Sequence, residues 1–89
     1  MKRIAIKVYG RVQGVFFRHT ARLRAEELGI TGFARNESDG SMTVVAEGEE
    51  EALQKFLEWC RKGPPLASVE KVEVEWREAA GEFRRFEIV

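Results

Sequence analysis

The repeat of apolar side chains changes from two residues to about 3.6 residues across a short glycine-containing segment near the start of the chain. Residues 4–8 alternate between apolar and less apolar side chains, which predicts a strand with one buried face. Residues 17–28 carry apolar side chains at helical spacing, and Gly29 is a natural helix end. A strand must therefore lead into a helix through the glycine-containing loop, and this constrains the fold more than any other feature.

The rest of the chain repeats both kinds of pattern. Strands are expected on either side of a Ser-Asp-Gly turn, and a run of three glutamates favours the start of a second helix through its dipole. The further predicted elements are a strand over 31–36, a turn over 38–40, a strand over 42–47, a helix that starts at 49–51 and ends at Gly63-Pro64-Pro65, a strand over 69–76 and a short strand at 86–88.

This order, β-α-β-β-α-β with a possible extra strand, predicts an α+β fold. Two helices covering one face of an antiparallel sheet of four to five strands form the ferredoxin-like sandwich. A length of 89 residues suits one such unit, so we expect residues 1–89 to form a single domain. The scaffold carries many functions, so the fold alone decides none of them.

Composition excludes several classes of protein. The single cysteine, Cys60, cannot form an internal disulfide, its place on an apolar helical stripe predicts a core residue, and no Cys/His cluster predicts a metal site. No apolar run approaches a membrane span or a signal peptide, so we expect a cytoplasmic protein without a membrane partner. Charged residues make up 34% of the chain, which has only two glutamines and one asparagine, and this composition favours thermostability.

Charge is distributed unevenly along the chain. The first 25 residues carry seven basic and no acidic side chains, whereas the remaining 64 carry eight basic and fifteen acidic ones. Such an excess can attract small anions to one face. Alternatively, distant segments come together in the sheet and the charges cancel.

The segment from Gly10 to Arg18 has the properties of an anion site. It contains two glycines and no acidic residue, and it places Arg18 in the first turn of the predicted helix. A cation is mildly unfavourable there because the helix start carries a partial positive charge. The free N–H groups of that turn and the arginine together suit a phosphate or carboxylate group.

Residues 12–18, VQGVFFR, resemble the acylphosphatase signature G-x-V-Q-G-V-x-F-R, which joins the first strand to the first helix. Residues 32–36, GFARN, ahead of the Ser-Asp-Gly turn, are similar to the second motif of that family, and the Gly-Pro-Pro exit from the second helix is similar to its bacterial members. Phe33 stands where many relatives have tryptophan, and His19 where tyrosine is frequent. Neither difference affects Arg18 or Asn36, the two residues that the resemblance identifies as catalytic.

The resemblance implies hydrolysis of acyl phosphates to carboxylate and inorganic phosphate, without metal or cofactor. It implies that Arg18 and Asn36 are catalytic. It further implies a phosphate-binding loop, whose residues are Gln13, Gly14, Val15, Phe16, Phe17 and Arg18. The substrate would be a small-molecule acyl phosphate, and inorganic phosphate or sulfate would be able to occupy the same site.

The chemistry of these residue types agrees with those roles. Arg18 offers a planar fork of donors that matches two phosphoryl oxygens and stays charged at any working pH. Asn36 cannot act as a base, but its amide can orient an attacking water. Asparagine also favours turns, and Asn36 lies beside one, so a purely structural role is the alternative. His19 is expected to be a solvated surface residue, and Arg11 either guides substrate or is an ordinary surface arginine.

Two other function classes remain as alternatives. An RNA-binding module on this fold stacks bases on aromatic side chains, but the segment 41–48 has none, and the net charge of zero does not suit a phosphate-backbone binder. A non-catalytic anion-sensing module would need the loop but not both Arg18 and Asn36. We therefore expect an enzyme that is monomeric and has no nucleic-acid partner.

Overall fold

Five strands and two helices follow one another along the chain in the predicted order. The computed structural model describes residues 1–89. The elements are β1 (Lys2–Arg11), α1 (Phe17–Leu28), β2 (Thr31–Asn36), β3 (Met42–Gly48), α2 (Glu50–Lys62), β4 (Ser68–Glu78) and β5 (Phe86–Ile88). Gly29 and Gly63 end the two helices, as the sequence predicts. Neither helix has the length and apolarity that crossing a membrane requires.

The five strands form one sheet in the order β4-β1-β3-β2-β5. β1 pairs antiparallel with β3 and β4, and β2 pairs antiparallel with β3, which confirms the predicted ferredoxin-like sandwich. The expectation of an entirely antiparallel sheet is wrong for β5, which runs parallel to β2. β4 lies at the opposite edge, so the chain reverses direction after β4 and crosses the sheet. This reversal makes β5 run in the direction of β2.

The helices cover one face of the sheet and enclose the core. Ile4, Ile6 and Val8 of β1 are at most 1% exposed, and they face the buried stripes of both helices. Cys60 belongs to the stripe of α2 and is fully buried, so its prediction as a core residue is confirmed. Burial raises the pKa of the Cys60 thiol, which keeps it protonated and unreactive.

The connection from β4 to β5, residues 79–85, crosses the face of the sheet that the helices leave open; we call it the return loop. Glu47 of β3 is 3% exposed and accepts hydrogen bonds from the backbone N–H groups of Ala80 (2.8 Å) and Gly81 (3.1 Å). Arg3 Nε donates to the same carboxylate at 2.9 Å. These contacts hold the return loop against the sheet and thereby place β5 beside β2.

Candidate active site

The loop between β1 and α1, residues 12–16, is fixed by apolar anchors on both sides. Val12, Val15 and Phe17 are 1–3% exposed and belong to the core. Between them, Gly14 adopts a φ of 74° with open space where a Cβ would lie, so its conformation rather than crowding favours glycine. The loop is therefore anchored in the core, while Gly14 and Phe16 remain exposed.

The start of α1 presents N–H groups that the protein does not use. The first backbone hydrogen bond of this helix is the one that Thr20 donates to the carbonyl of Phe16, at 3.0 Å. Outside the regular elements, no hydrogen bond has a backbone N–H of residues 14–19 as its donor. Phe16 occupies the N-cap position without a side-chain cap. These N–H groups form the kind of concave donor set that binds an oxyanion.

Arg18 lies in the first turn of α1, and its guanidinium has no carboxylate partner. Its Nη1 donates to the backbone carbonyl of Val89 at 3.3 Å. Val89 in turn donates its N–H to the carbonyl of Ala34 at 3.0 Å, which ties the residue after β5 to β2. The guanidinium is thereby oriented by a neutral acceptor, and no carboxylate of the protein competes with an anion for it.

Asn36 is the last residue of β2 and lies opposite Met42 of β3. Its Oδ1 atom is buried and accepts no hydrogen bond. Buried polar atoms are nearly always paired, so an unpaired one inside a cleft indicates a functional role. A structural turn-forming role would use this oxygen for a local hydrogen bond, and no such bond is present.

Gln13 links the loop to the turn that follows Asn36. Its Nε2 donates to the carbonyls of Glu37 at 2.8 Å and Ser41 at 2.9 Å. The turn itself is held by the Asp39 carboxylate, which accepts from the hydroxyl (2.5 Å) and N–H (2.9 Å) of Ser41. Both hydrogen bonds lower the pKa of Asp39, and the bond from the hydroxyl has the larger effect. The loop and the end of β2 are therefore fixed relative to each other.

One cleft of about 290 Å³ contains both residues predicted to be catalytic. Its volume is at the lower end of the range of roughly 300–1,000 Å³ for ligand pockets, which suits a small substrate. The lining residues are Val12, Gly14, Phe16, Phe17, Arg18, His19, Asn36, Met42 and Ile88.

Not every predicted loop residue lines this cleft. The side chain of Val15 is buried in the core, and that of Gln13 bonds to the turn after β2. Sequence reasoning missed Met42 and Ile88, which reach the cleft through the pairing of β3 and β5 with β2. His19 is exposed as expected, yet it also borders the cleft.

The electrostatic surroundings of the cleft favour an anion. No aspartate or glutamate lines it. Arg18 and Arg22, one turn apart on α1, form no ion pair, and neither does Arg11 at the end of β1. No group of three or more His, Cys, Asp or Glu side chains is arranged to hold a metal ion.

Comparison with known proteins agrees with the resemblance seen in the two motifs. Residues 4–88 match the sequence model of the acylphosphatase family, from β1 to the end of β5. The chain belongs to the acylphosphatase family. The matched residues include the loop before α1 and the end of β2, so both sides of the cleft lie within the part of the chain that matches the family.

Individual acylphosphatases are similar over nearly the whole chain. The acylphosphatase of Rubrobacter xylanophilus is 52% identical over 87 residues, which cover 98% of this chain and 79% of that protein. The acylphosphatase of Thermus thermophilus is 53% identical over 81 residues, 91% of this chain and 92% of that protein. The crystal structure of acylphosphatase from Bacillus subtilis superposes with a TM-score of 0.96 at 37% identity, covering 100% of this chain and 99% of that one. Nothing in these comparisons supports the RNA-binding or anion-sensing alternatives.

Proposed function

We propose that this protein is an acylphosphatase enzyme that hydrolyses small-molecule acyl phosphates to carboxylate and inorganic phosphate, with Arg18 and Asn36 as the catalytic residues. The observation that supports this most directly is the meeting of three groups in one cleft: a guanidinium without a carboxylate partner, a row of unused backbone N–H groups and a buried amide oxygen. Family membership supports the activity itself.

The loop binds the phosphoryl group. The backbone N–H groups of Gly14 to Arg18, which have no acceptor in the protein, are the donors for its oxygens, and the Arg18 guanidinium donates to two of them. Gln13 contributes through its position, since it holds the loop to the turn after β2. These donors stabilise the charge that spreads over the phosphoryl oxygens in the transition state.

Asn36 positions the attacking water. Its Oδ1 accepts a hydrogen bond from the water, whose oxygen forms a bond to phosphorus as the bond between phosphorus and the acyl oxygen breaks. The carboxylate leaves with the bonding electron pair, and a proton of the water passes to a phosphoryl oxygen. No side-chain base, metal or cofactor takes part in this scheme.

The remaining properties follow from the same features and from composition. Inorganic phosphate or sulfate competes with substrate because the loop recognises the oxyanion rather than the whole molecule. The small cleft and the zero net charge support a monomer that acts in the cytoplasm without nucleic-acid or membrane partners. Thermostability is supported by the 34% of charged residues and the scarcity of amides.

The test is hydrolysis of acetyl phosphate by the purified protein with EDTA present. Arg18→Ala is expected to lower kcat/KM by about 10³-fold or more, since it removes the charged fork. Arg24→Ala is the matched control, because Arg24 lies on the same helix but pairs only with Glu27. Wild-type rates in the Arg18 variant, or activity that EDTA abolishes, would overturn the assignment.

A further inference from the structure

Phe16 is the most exposed large hydrophobic residue of the chain. Its side chain is 71% exposed, while its neighbours Val15 and Phe17 are 3% and 1% exposed. It also lines the cleft that holds Arg18 and Asn36. The loop thus directs one aromatic ring outward at the cleft while it buries the side chains on either side.

The backbone of Phe16 adopts a conformation that suits glycine. Its φ of 64° is the only positive value of a non-glycine residue in the chain. Bulky residues rarely adopt this left-handed region. The Phe16 carbonyl accepts both the N–H (3.0 Å) and the hydroxyl (2.8 Å) of Thr20, which ties Phe16 to the first turn of α1. An unfavourable backbone and an exposed ring at one residue indicate that the ring serves a function.

The depth of the two sides of the cleft indicates where an acyl group would lie. Asn36 Oδ1 is buried, so the attacking water lies at the inner side of the phosphoryl group. In phosphoryl transfer the leaving group departs roughly in line with the attacking oxygen, on the opposite side. The acyl group therefore extends toward the mouth of the cleft, where the exposed Phe16 ring and the half-buried Ile88 are its apolar contacts.

We propose that Phe16 is a specificity-determining residue whose ring packs against the acyl group, so that the enzyme favours acyl phosphates with an aromatic or bulky apolar acyl group. This inference rests on the proposed function and adds the class of substrate to it. Aromatic packing and the removal of apolar surface from water provide the preference.

The test compares benzoyl phosphate with acetyl phosphate by measuring kcat/KM for each. The unaltered protein is expected to prefer benzoyl phosphate, and Phe16→Ala to lower the ratio of the two values about tenfold, mainly through the KM for benzoyl phosphate. Phe16→Gly removes the ring and also relaxes the backbone, so an equal fall of the ratio assigns the effect to the ring. Phe16→Tyr keeps the ring and is expected to retain the preference.

Leu23→Ala is the matched control, since Leu23 is an exposed apolar residue of α1 outside the cleft and its variant should keep the ratio. Thermal unfolding of each variant checks that it is folded. A ratio that stays within twofold in both Phe16→Ala and Phe16→Gly, or an unaltered protein that favours acetyl phosphate, overturns this inference alone. Failure of the unaltered protein to hydrolyse either compound overturns the proposed function together with it.

Discussion

The buried Oδ1 of Asn36 is the polar atom whose environment is hardest to explain by stability alone. Leaving a buried acceptor unpaired is unfavourable by about 1–3 kcal/mol. Its fixed position in the cleft with Arg18 is consistent with a group preorganised for reaction.

Asn36→Ala is expected to lower kcat for acetyl phosphate by roughly 10²–10³-fold, because the attacking water loses its acceptor. Inhibition by inorganic phosphate should change little, since the loop and Arg18 are untouched. Steady-state kinetics and the phosphate inhibition constant measure the two effects. Loss of phosphate affinity with unchanged kcat would assign Asn36 to binding instead.

His19→Ala is expected to remain an active enzyme, and the unaltered protein is expected to form no phosphohistidine during turnover. His19 follows Arg18 on the helix and is exposed, so the proposed direct attack by water does not use it. Mass spectrometry of the protein quenched during turnover, together with kcat, measures this. An inactive variant, or a trapped phosphorylated histidine in the unaltered protein, would indicate covalent catalysis.

Sequence reasoning found Arg18 and Asn36 because the motif and the residue chemistry lie within short segments. It did not find Ile88, nor the contact between Arg18 and the Val89 carbonyl. Both depend on the parallel pairing of β5 with β2, which no local pattern around residues 86–89 encodes. The αL conformation of Phe16 was also missed, since phenylalanine disfavours it.

Among the strands and helices, the position of β5 is determined by the return loop. Its residues show no periodicity, and strand alternation alone places Glu47 on the solvent side of β3. In the structure the return loop covers that side: Glu47 is buried, and the ring of Phe83 packs edge-on against Phe33 at 5.9 Å. The helices and strands followed from local apolar spacing, whereas this long-range contact did not.

Glu47→Gln is expected to destabilise the protein by about 1–3 kcal/mol at pH 7, because the charged acceptor of three hydrogen bonds is lost. Burial raises the pKa of Glu47, but the N–H of Ala80, the Arg3 guanidinium and the N–H of Gly81 together outweigh it and lower the pKa below the ordinary value of 4.5. The carboxylate therefore stabilises the fold above pH 4.5, and this contribution is lost as the pH falls through the lowered pKa.

Urea unfolding at pH 7 and at pH 3 measures this prediction, with the exposed Glu70→Gln on β4 as the control. The difference between Glu47→Gln and the unaltered protein should shrink at the lower pH. An equal difference at both values would show that the carboxylate charge is not what stabilises the return loop.

The basic charges that are concentrated in the first 25 residues are only partly neutralised by acidic side chains when the chain folds. β1 lies between β3 and β4, and its basic residues other than Arg11 pair with acidic ones, for example Lys2 with Glu78 at 2.5 Å and Lys7 with Asp39 at 3.7 Å. The arginines near the start of α1 have no such partners. The sequence alone could not show whether the basic residues would remain together on one face or be cancelled by acidic ones, because this depends on which strands become neighbours.

The unpaired arginines should attract anionic substrates at long range. Raising KCl from 20 to 200 mM is expected to lower kcat/KM for acetyl phosphate by about two- to fivefold, as screening shortens the range of the field. Arg22→Gln should lower kcat/KM at low salt and weaken the salt dependence. Arg24→Gln, the same charge change on the same helix, should preserve the slope, because Arg24 already pairs with Glu27. Equal slopes in all three proteins would contradict steering by Arg22.

The Glu47 carboxylate that fastens the return loop lies beside the beginning of β1, whereas the cleft opens beyond the end of that strand, in a molecule 30 Å long. Substitutions so far apart usually have additive effects. Arg3 also pairs with Glu82 of the return loop, so an engineer could tighten this distal end without disturbing turnover. Heat resistance and reaction rate should be adjustable as separate design variables in this scaffold.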